Sequence, residues 1–194
     1  MNLLGDVELD ARGMRALAHP VRLAILRQLR GNGPNTASGL SPAVGASPSV
    51  TSWHLRHLAD HGLVEDAPTD GGGRKRWWQA VGKGFRFNAD ADDPEAASLL
   101  RDAVEHSEDG LLERWSTLTR PRLELRWLQV ASRWNTELVA TPDELRRLEE
   151  GLEQLVAPLA NRDLTQLPEG ARPVRMLHYL LPEAADDASH QTDG

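Results

Sequence analysis

The sequence predicts a mainly α-helical protein with a small β component, and three observations lead to this prediction. Apolar residues recur at helical spacing in four segments between residues 10 and 62, and capping residues mark the ends of these segments. Two strand-like segments, 63–68 and 74–81, enclose a glycine-rich turn, as in a β-hairpin. Beyond residue 94 the chain carries two further amphipathic helices among segments of mixed helix and strand character.

Helix-breaking residues and turns separate the first predicted helices. Residues 10–31 predict two helices that separate at His19-Pro20, because proline lacks the N–H that a continuous helix requires. After a turn at 32–34, Thr36 can cap a short helix, which Pro42 should tighten or shorten.

Residues 47–64 predict the helix around which this half of the chain is organised. Ser47 is a suitable N-cap, and Gly62 can adopt the left-handed conformation that ends a helix. Three residues recur at helical spacing and should point inward: Thr51, Leu55 and Leu58. The opposite face carries side chains that can hydrogen-bond base edges and phosphates: Ser49, Ser52, Trp53, Arg56 and His57. For this helix alone, an ordinary solvated face is the alternative interpretation.

The predicted hairpin carries three adjacent cations, Arg74, Lys75 and Arg76, at a tip loosened by glycine. Cations in such a position suit a phosphate backbone or a minor groove. The alternative is a tip that only makes the protein more soluble.

Charge is distributed unevenly along the chain. The net charge is −7, but residues 11–87 contain eleven Arg or Lys against four Asp or Glu. Residues 88–194 contain eleven Arg or Lys against twenty-two Asp or Glu. A basic first half joined to an acidic second half suggests a nucleic-acid-binding module with an appended domain.

Composition argues against several classes of protein. The chain has no cysteine, so disulfides and thiolate metal sites are excluded. No apolar run approaches 18 residues, and the N-terminus lacks the basic and apolar pattern of a signal peptide. We therefore expect a cytoplasmic protein without a membrane partner.

Three segments, in this order, resemble the ArsR family of bacterial winged helix-turn-helix regulators: RALAHPVRLAILRQL, SPSVTSWHLRHLADHGLVE and GRKRWW. The resemblance covers about residues 10–82 and implies a homodimeric DNA-binding regulator, more often a repressor, whose recognition helix lies in the major groove. Carried over by position, it places four residues on the DNA-facing side of that helix: Ser49, Ser52, Trp53 and Arg56. It places Arg74 and Arg76 on the wing.

The sequence departs from the metal sensors of this family. The helix before the recognition helix, where those proteins carry a cysteine motif, has the sequence ASGLSPAVG. The helix after the wing offers Asp102, His106 and Glu113 but lacks the second histidine of such a site. Three histidines on the recognition helix could in principle hold zinc, although DNA contact or packing is the preferred interpretation: His54, His57 and His61. We predict no metal and no cofactor.

Residues 94–182 are expected to form a helical or α+β region for dimerisation, and a small-molecule effector is left open there. The stripe on a helix at 94–118 would serve a dimer interface or pack on its own domain. A polar tail at 183–194 is expected to be disordered.

Within that region we expect a helix from 121 to about 134 and a strand at 136–140 that pairs with 171–183. Thr141 and Glu144 form the pattern of a capping box, which predicts a helix to about Leu159.

These patterns predict a sequence-specific DNA-binding transcriptional regulator that acts as a homodimer on an inverted-repeat operator. The alternative is a winged-helix scaffold that binds other proteins after losing DNA binding, to which the overall acidity and Pro42 give weight. The basic wing and the acid-poor helix face argue against it. The second half has no phosphate-binding loop and no Ser-His-Asp context, so we predict no enzyme.

Overall fold

The computed structural model describes residues 2–68, 75–87, 93–133, 135–163 and 166–182. The elements in these ranges are, in order, β1 (Val7–Glu8), α1 (Ala11–Leu17), α2 (Pro20–Asn32), β2 (Asn35–Thr36), α3 (Ala37–Val44), α4 (Pro48–Asp60), β3 (Val64–Asp66), β4 (Trp77–Ala80), β5 (Phe85–Arg86), α5 (Pro94–Glu108), α6 (Leu111–Arg114), α7 (Leu125–Leu128) and α8 (Pro142–Ala160). A π-helical turn, Trp115–Thr119, and a 3-10 turn, Arg120–Arg122, join α6 to α7.

The helices of the first half begin and end at side chains that satisfy their free backbone groups. Asp10 caps α1 through the Gly13 amide, and Thr36 caps α3 through the Gly39 amide. At the predicted break, Nδ1 of His19 accepts a hydrogen bond from the Val21 amide at 3.1 Å and so caps α2. The predictions of two helices within 10–31 and of a short helix after Thr36 are confirmed.

The predicted hairpin forms and gains a third strand. The sheet has the order β2-β4-β3 with both pairs antiparallel, so that Asp66 lies opposite Trp78 and Thr36 lies opposite Trp77. A second sheet pairs β1 with β5 in parallel, with Val7 opposite Phe85. The sequence patterns predicted neither β2 nor the β1–β5 pair.

One hydrophobic core holds these elements together. Its larger members come from α1, α2, α4, the sheet and α5: Met14, Leu17, Ile25, Leu26, Leu55, Leu58, Leu63, Trp78 and Leu100. Helix α5 contacts α1, and α4 contacts both α2 and α3. This core of helices closed by a small antiparallel sheet is a winged helix-turn-helix arrangement, and the predicted fold class is confirmed.

The helix predicted at 94–118 is interrupted. Helix α5 ends at Glu108, because Gly110 adopts φ +64° and redirects the chain before α6. The predicted dimer stripe is therefore split: Ala96 and Leu100 are buried, whereas Leu99 and Leu112 are exposed.

The predicted strand pair of the second half is wrong for the residues that the structure describes. Residues 136–140 and 171–182 form no ladder, and the helix expected from 121 to 134 is reduced to α7. Alternating apolar residues form a strand only where a partner supplies backbone hydrogen bonds, and none lies alongside them. By contrast, the capping box of α8 is present as predicted at Thr141 and Glu144.

Two further predictions concern membrane-spanning helices and the C-terminal tail. None of the helices in the described ranges is long and apolar enough to cross a membrane. Trp134 and the tail at 183–194 lie outside the described residues.

Candidate nucleic-acid interface

Helix α4 is built as its sequence predicts. The Ser47 side chain accepts from the Val50 amide, and the Thr51 hydroxyl donates to the Ser47 carbonyl at 2.9 Å. At the other end Gly62 has φ +67°, a conformation that costs glycine little and other residues more. The three predicted inward residues are fully buried: Thr51, Leu55 and Leu58. This packing fixes which side of the helix faces solvent.

The solvent side of α4 carries the five residues predicted to contact DNA. Ser49, Trp53 and Arg56 are exposed, and Ser52 and His57 are half-buried. The rings of Trp53 and His57 stack with centroids 5.6 Å apart. The Arg56 guanidinium donates to the carbonyl and hydroxyl oxygens of Ser52 at 3.3 and 3.2 Å. The face thus presents aromatic edges and guanidinium donors, and Asp60 is the first carboxylate along the helix.

The wing presents its predicted cations unequally. Arg74 lies outside the described residues, and Lys75 is exposed. The Arg76 guanidinium donates to both carboxylate oxygens of Asp66, at 2.5 and 2.9 Å, and lies 3.8 Å from the ring centroid of Trp78. These hydrogen bonds lower the pKa of Asp66. The Arg76 guanidinium is therefore already paired with the Asp66 carboxylate before any ligand binds.

A cleft joins the wing to the recognition helix. It has a volume of about 180 Å³ and is lined by Thr36, Ala37, Ser38, Ser52, Arg56, Lys75, Arg76 and Trp78. Three cations and three hydroxyls thus meet at the base of the predicted DNA-facing surface. Such a set can hydrogen-bond phosphate oxygens.

The sequence patterns did not place Thr36 and Ser38 at this surface. They reach it because β2 pairs with β4, which sets Thr36 opposite Trp77 beside the wing. A strand of two residues has no periodicity of its own, so no local signal could have revealed this contact.

A group of histidines extends along α4 from His57 on the solvent side to His54 beside His19 at the start of α2. The His54 ring is 5% exposed and lies 4.7 Å from the His19 ring, and the rings of His57 and His61 are also 4.7 Å apart. Nδ1 of His54 is buried without a hydrogen-bond partner. Among the described residues no three His, Asp or Glu side chains are arranged to hold a metal.

Acid should destabilise this packing. Burial, and secondarily the neighbouring Arg22, lowers the pKa of His19; burial and the charges of His19, Arg22 and His57 lower the pKa of His54. Below about pH 6.5, the ordinary histidine pKa, His19 and His54 bind protons more readily in the unfolded chain than in the folded one. The free energy of unfolding therefore falls as the pH drops further. Above that pH the two groups contribute no pH dependence.

We expect urea unfolding between pH 7.5 and pH 5 to show a progressive loss of stability on the acid side, with a shallower pH slope in His54→Gln. His106→Gln is the matched control, because His106 is exposed at the surface of α5 and pairs with Asp109. An unchanged slope in the His54 variant would contradict this role of burial.

The helices and the wing define a protein of the helix-turn-helix class. Residues 17–67 match the family model described as "Helix-turn-helix domain". Over 63 residues, 32% of this chain and 64% of the relative, the sequence is 38% identical to the HTH-type transcriptional regulator YgaV of Escherichia coli. Over 98 residues, 50% of this chain and 69% of the relative, it is 38% identical to the HTH-type transcriptional regulator NmtR of Mycobacterium tuberculosis. The chain belongs to the ArsR family of transcriptional regulators.

Among solved structures, the chain is similar to the homodimeric winged helix-turn-helix DNA-binding domain Mb0332 of Mycobacterium bovis. The identity is 25%, the match covers 52% of this chain and 78% of the other, and the TM-score is 0.33. Because the TM-score is so low, this likeness supports no conclusion about function or assembly.

Proposed function

We propose that the protein is a sequence-specific transcriptional repressor that acts in the cytoplasm as a homodimer on an inverted-repeat operator. Residues 10–82 serve as the DNA-binding domain and residues 94–182 as the region for dimerisation and for any effector. In such a dimer two copies of α4 about 34–36 Å apart enter successive major grooves. The proposal assigns the chain no catalytic step.

The observation that carries this proposal is the continuity of the DNA-facing surface. The outer side of α4 leads into the cleft where Arg56, Lys75 and Arg76 meet, and Arg76 is paired there with Asp66. Membership of the ArsR family supports the same function. The net negative charge of the whole chain does not oppose it, because the acidic residues are concentrated beyond residue 88.

Binding of the purified protein to the DNA upstream of its own gene, compared with random duplex across a salt series, tests the proposal. We expect tighter binding to the upstream fragment, two chains per site, and a steep decrease in affinity with salt as counterions are released. Absence of binding even at low salt would favour the protein-scaffold alternative.

Releasing Arg76 should strengthen contact with the DNA backbone. In Asp66→Asn the guanidinium loses its charged partner and becomes free to bind a phosphate. We expect higher affinity for random duplex at low salt. One added phosphate contact should also steepen the slope of log affinity against log salt concentration by about 0.9.

Glu65→Gln is the matched control for that experiment. It removes the neighbouring carboxylate, which accepts from Gln79 and not from an arginine. If both variants bind random duplex equally well, net charge and not the release of Arg76 explains the gain.

A further inference from the structure

Five leucines on α8 follow a strict heptad pattern. Leu145, Leu148, Leu152, Leu155 and Leu159 are spaced three and four residues apart in alternation, which is the a/d pattern of a coiled-coil seam. We call this set the leucine seam. In an isolated globular chain such a stripe would face the core.

The seam faces solvent instead. Leu148, Leu155 and Leu159 are 46%, 76% and 59% exposed, and no residue of α8 is buried. The helix contacts the rest of its own chain by a different side: Glu153 forms an ion pair with Arg86, and the Asn161 amide donates to the Leu3 carbonyl at 2.7 Å. With these contacts on the other side, Leu148, Leu155 and Leu159 remain exposed, whereas Leu145 and Leu152 are half-buried.

The C-terminal tail offers little to cover the seam. The sequence of residues 183–194 contains no apolar side chain larger than alanine. An exposed apolar stripe of this kind is typical of an interaction surface. A surface whose pattern matches a coiled coil is complementary to a second copy of itself.

We propose that the leucine seam of α8 pairs with the same seam of a second copy in an antiparallel arrangement. This inference rests on the proposed homodimer and adds to it a specific contact outside the DNA-binding half. Two heptads are short for an independent coiled coil, so the seam strengthens the proposed dimer and does not form it alone.

Charges beside the seam favour the antiparallel orientation. In a parallel pair Glu144, at a g position, would face Glu149 of the second copy at an e position, and this repulsion would occur twice. In an antiparallel pair Arg146 and Arg147 approach the C-terminal end of the other helix, where the helix dipole is negative. Pairing d positions with a positions in this orientation sets Leu148 opposite Leu159 of the second copy, and Leu152 opposite Leu155.

Dimer dissociation of the full chain, measured by analytical ultracentrifugation over a range of concentrations, tests the pairing. In Leu148→Glu/Leu155→Glu we expect the dimer dissociation constant to rise about tenfold or more, because two apolar contacts per helix become buried charges. Both leucines are exposed, so the fold of each chain should persist, as circular dichroism can check. Gln154→Glu, on the polar side of α8, is the control and should leave the constant unchanged.

The outcomes separate this inference from the proposed function. A wild-type dimer that binds operator DNA, with an unchanged dissociation constant in the double variant, would overturn the seam and leave the regulator intact. An equal effect of Gln154→Glu would also overturn the seam. A wild-type chain that is monomeric and does not bind DNA would overturn both.

Cysteine cross-linking tests the orientation, because the natural chain has no cysteine. We expect a disulfide-linked dimer when Leu148→Cys and Leu159→Cys proteins are mixed, and none from either protein alone. In the antiparallel pair identical residues lie eleven residues apart along the axis, about 16 Å at about 1.5 Å per residue, well beyond disulfide reach. Cross-linking of each protein with itself would show a parallel pair and contradict the arrangement.

Discussion

Replacing Trp78 with alanine is expected to lower the free energy of unfolding by about 3–5 kcal/mol. Trp78 is 2% exposed and belongs to the central strand of the wing sheet, where its ring packs into the core and supports the Arg76 guanidinium. Removing it leaves a large cavity at the junction of wing and helices. Since whole domains are stable by about 5–15 kcal/mol, this is a large share of the total stability.

Urea unfolding followed by circular dichroism measures this effect, and the neighbouring residue provides the control. Trp77 is 41% exposed on the same strand, so Trp77→Ala removes an equal side chain with far less buried contact. We expect less than half of the loss seen for Trp78→Ala. Equal losses would contradict the assignment of the larger effect to core packing of Trp78.

Arg56→Ala should produce the largest change in operator recognition. Arg56 is exposed on α4 and also lines the cleft beside the wing, so it is placed to contact a base edge or a phosphate. Loss of a base-reading arginine should cost about 1–3 kcal/mol of operator affinity and relax sequence preference at one position. Its present partners, the Ser52 oxygens, are neutral and can be exchanged for DNA.

Operator titrations at several salt concentrations distinguish the two kinds of contact. A base contact appears as lost discrimination between operator and random duplex, whereas a phosphate contact weakens binding to both and flattens the salt dependence. Arg27→Ala removes the same charge from an exposed site on α2, on a side of the chain that faces Arg114 and Arg175, and serves as control. Unchanged operator affinity in Arg56→Ala at every salt concentration would remove Arg56 from the interface.

Most of the correct predictions came from local sequence signals, namely caps and helical periodicity. Ser47 and Thr141 were recognised as caps because a capping side chain bonds a backbone amide within three residues of itself. The five outward residues of α4 followed from the periodicity of Thr51, Leu55 and Leu58. Such features depend on neighbours in the chain, which a single sequence displays.

The missed features depend on distant partners. Strands β1 and β2 have two residues each and exist only because β5 and β4 lie beside them. The Arg76–Asp66 ion pair likewise follows from the register of β3 and β4, which no composition rule supplies. At 136–140 and 171–182 the reverse error was made: strands were predicted, but the structure shows no partner strand for these residues in the part of the chain that it describes.

The parallel pairing of Val7 with Phe85 has a consequence for synthesis of the chain on the ribosome. Strand β1 leaves the ribosome early, but its partner β5 follows the recognition helix and the wing in the sequence, so the two can pair only after those elements have been synthesised. Helices α1 to α4 can form while the chain is still growing, because their hydrogen bonds are local. The first strand is fixed only when residue 86 has left the exit tunnel, so the N-terminal end of the chain is among the last parts of this half to fold.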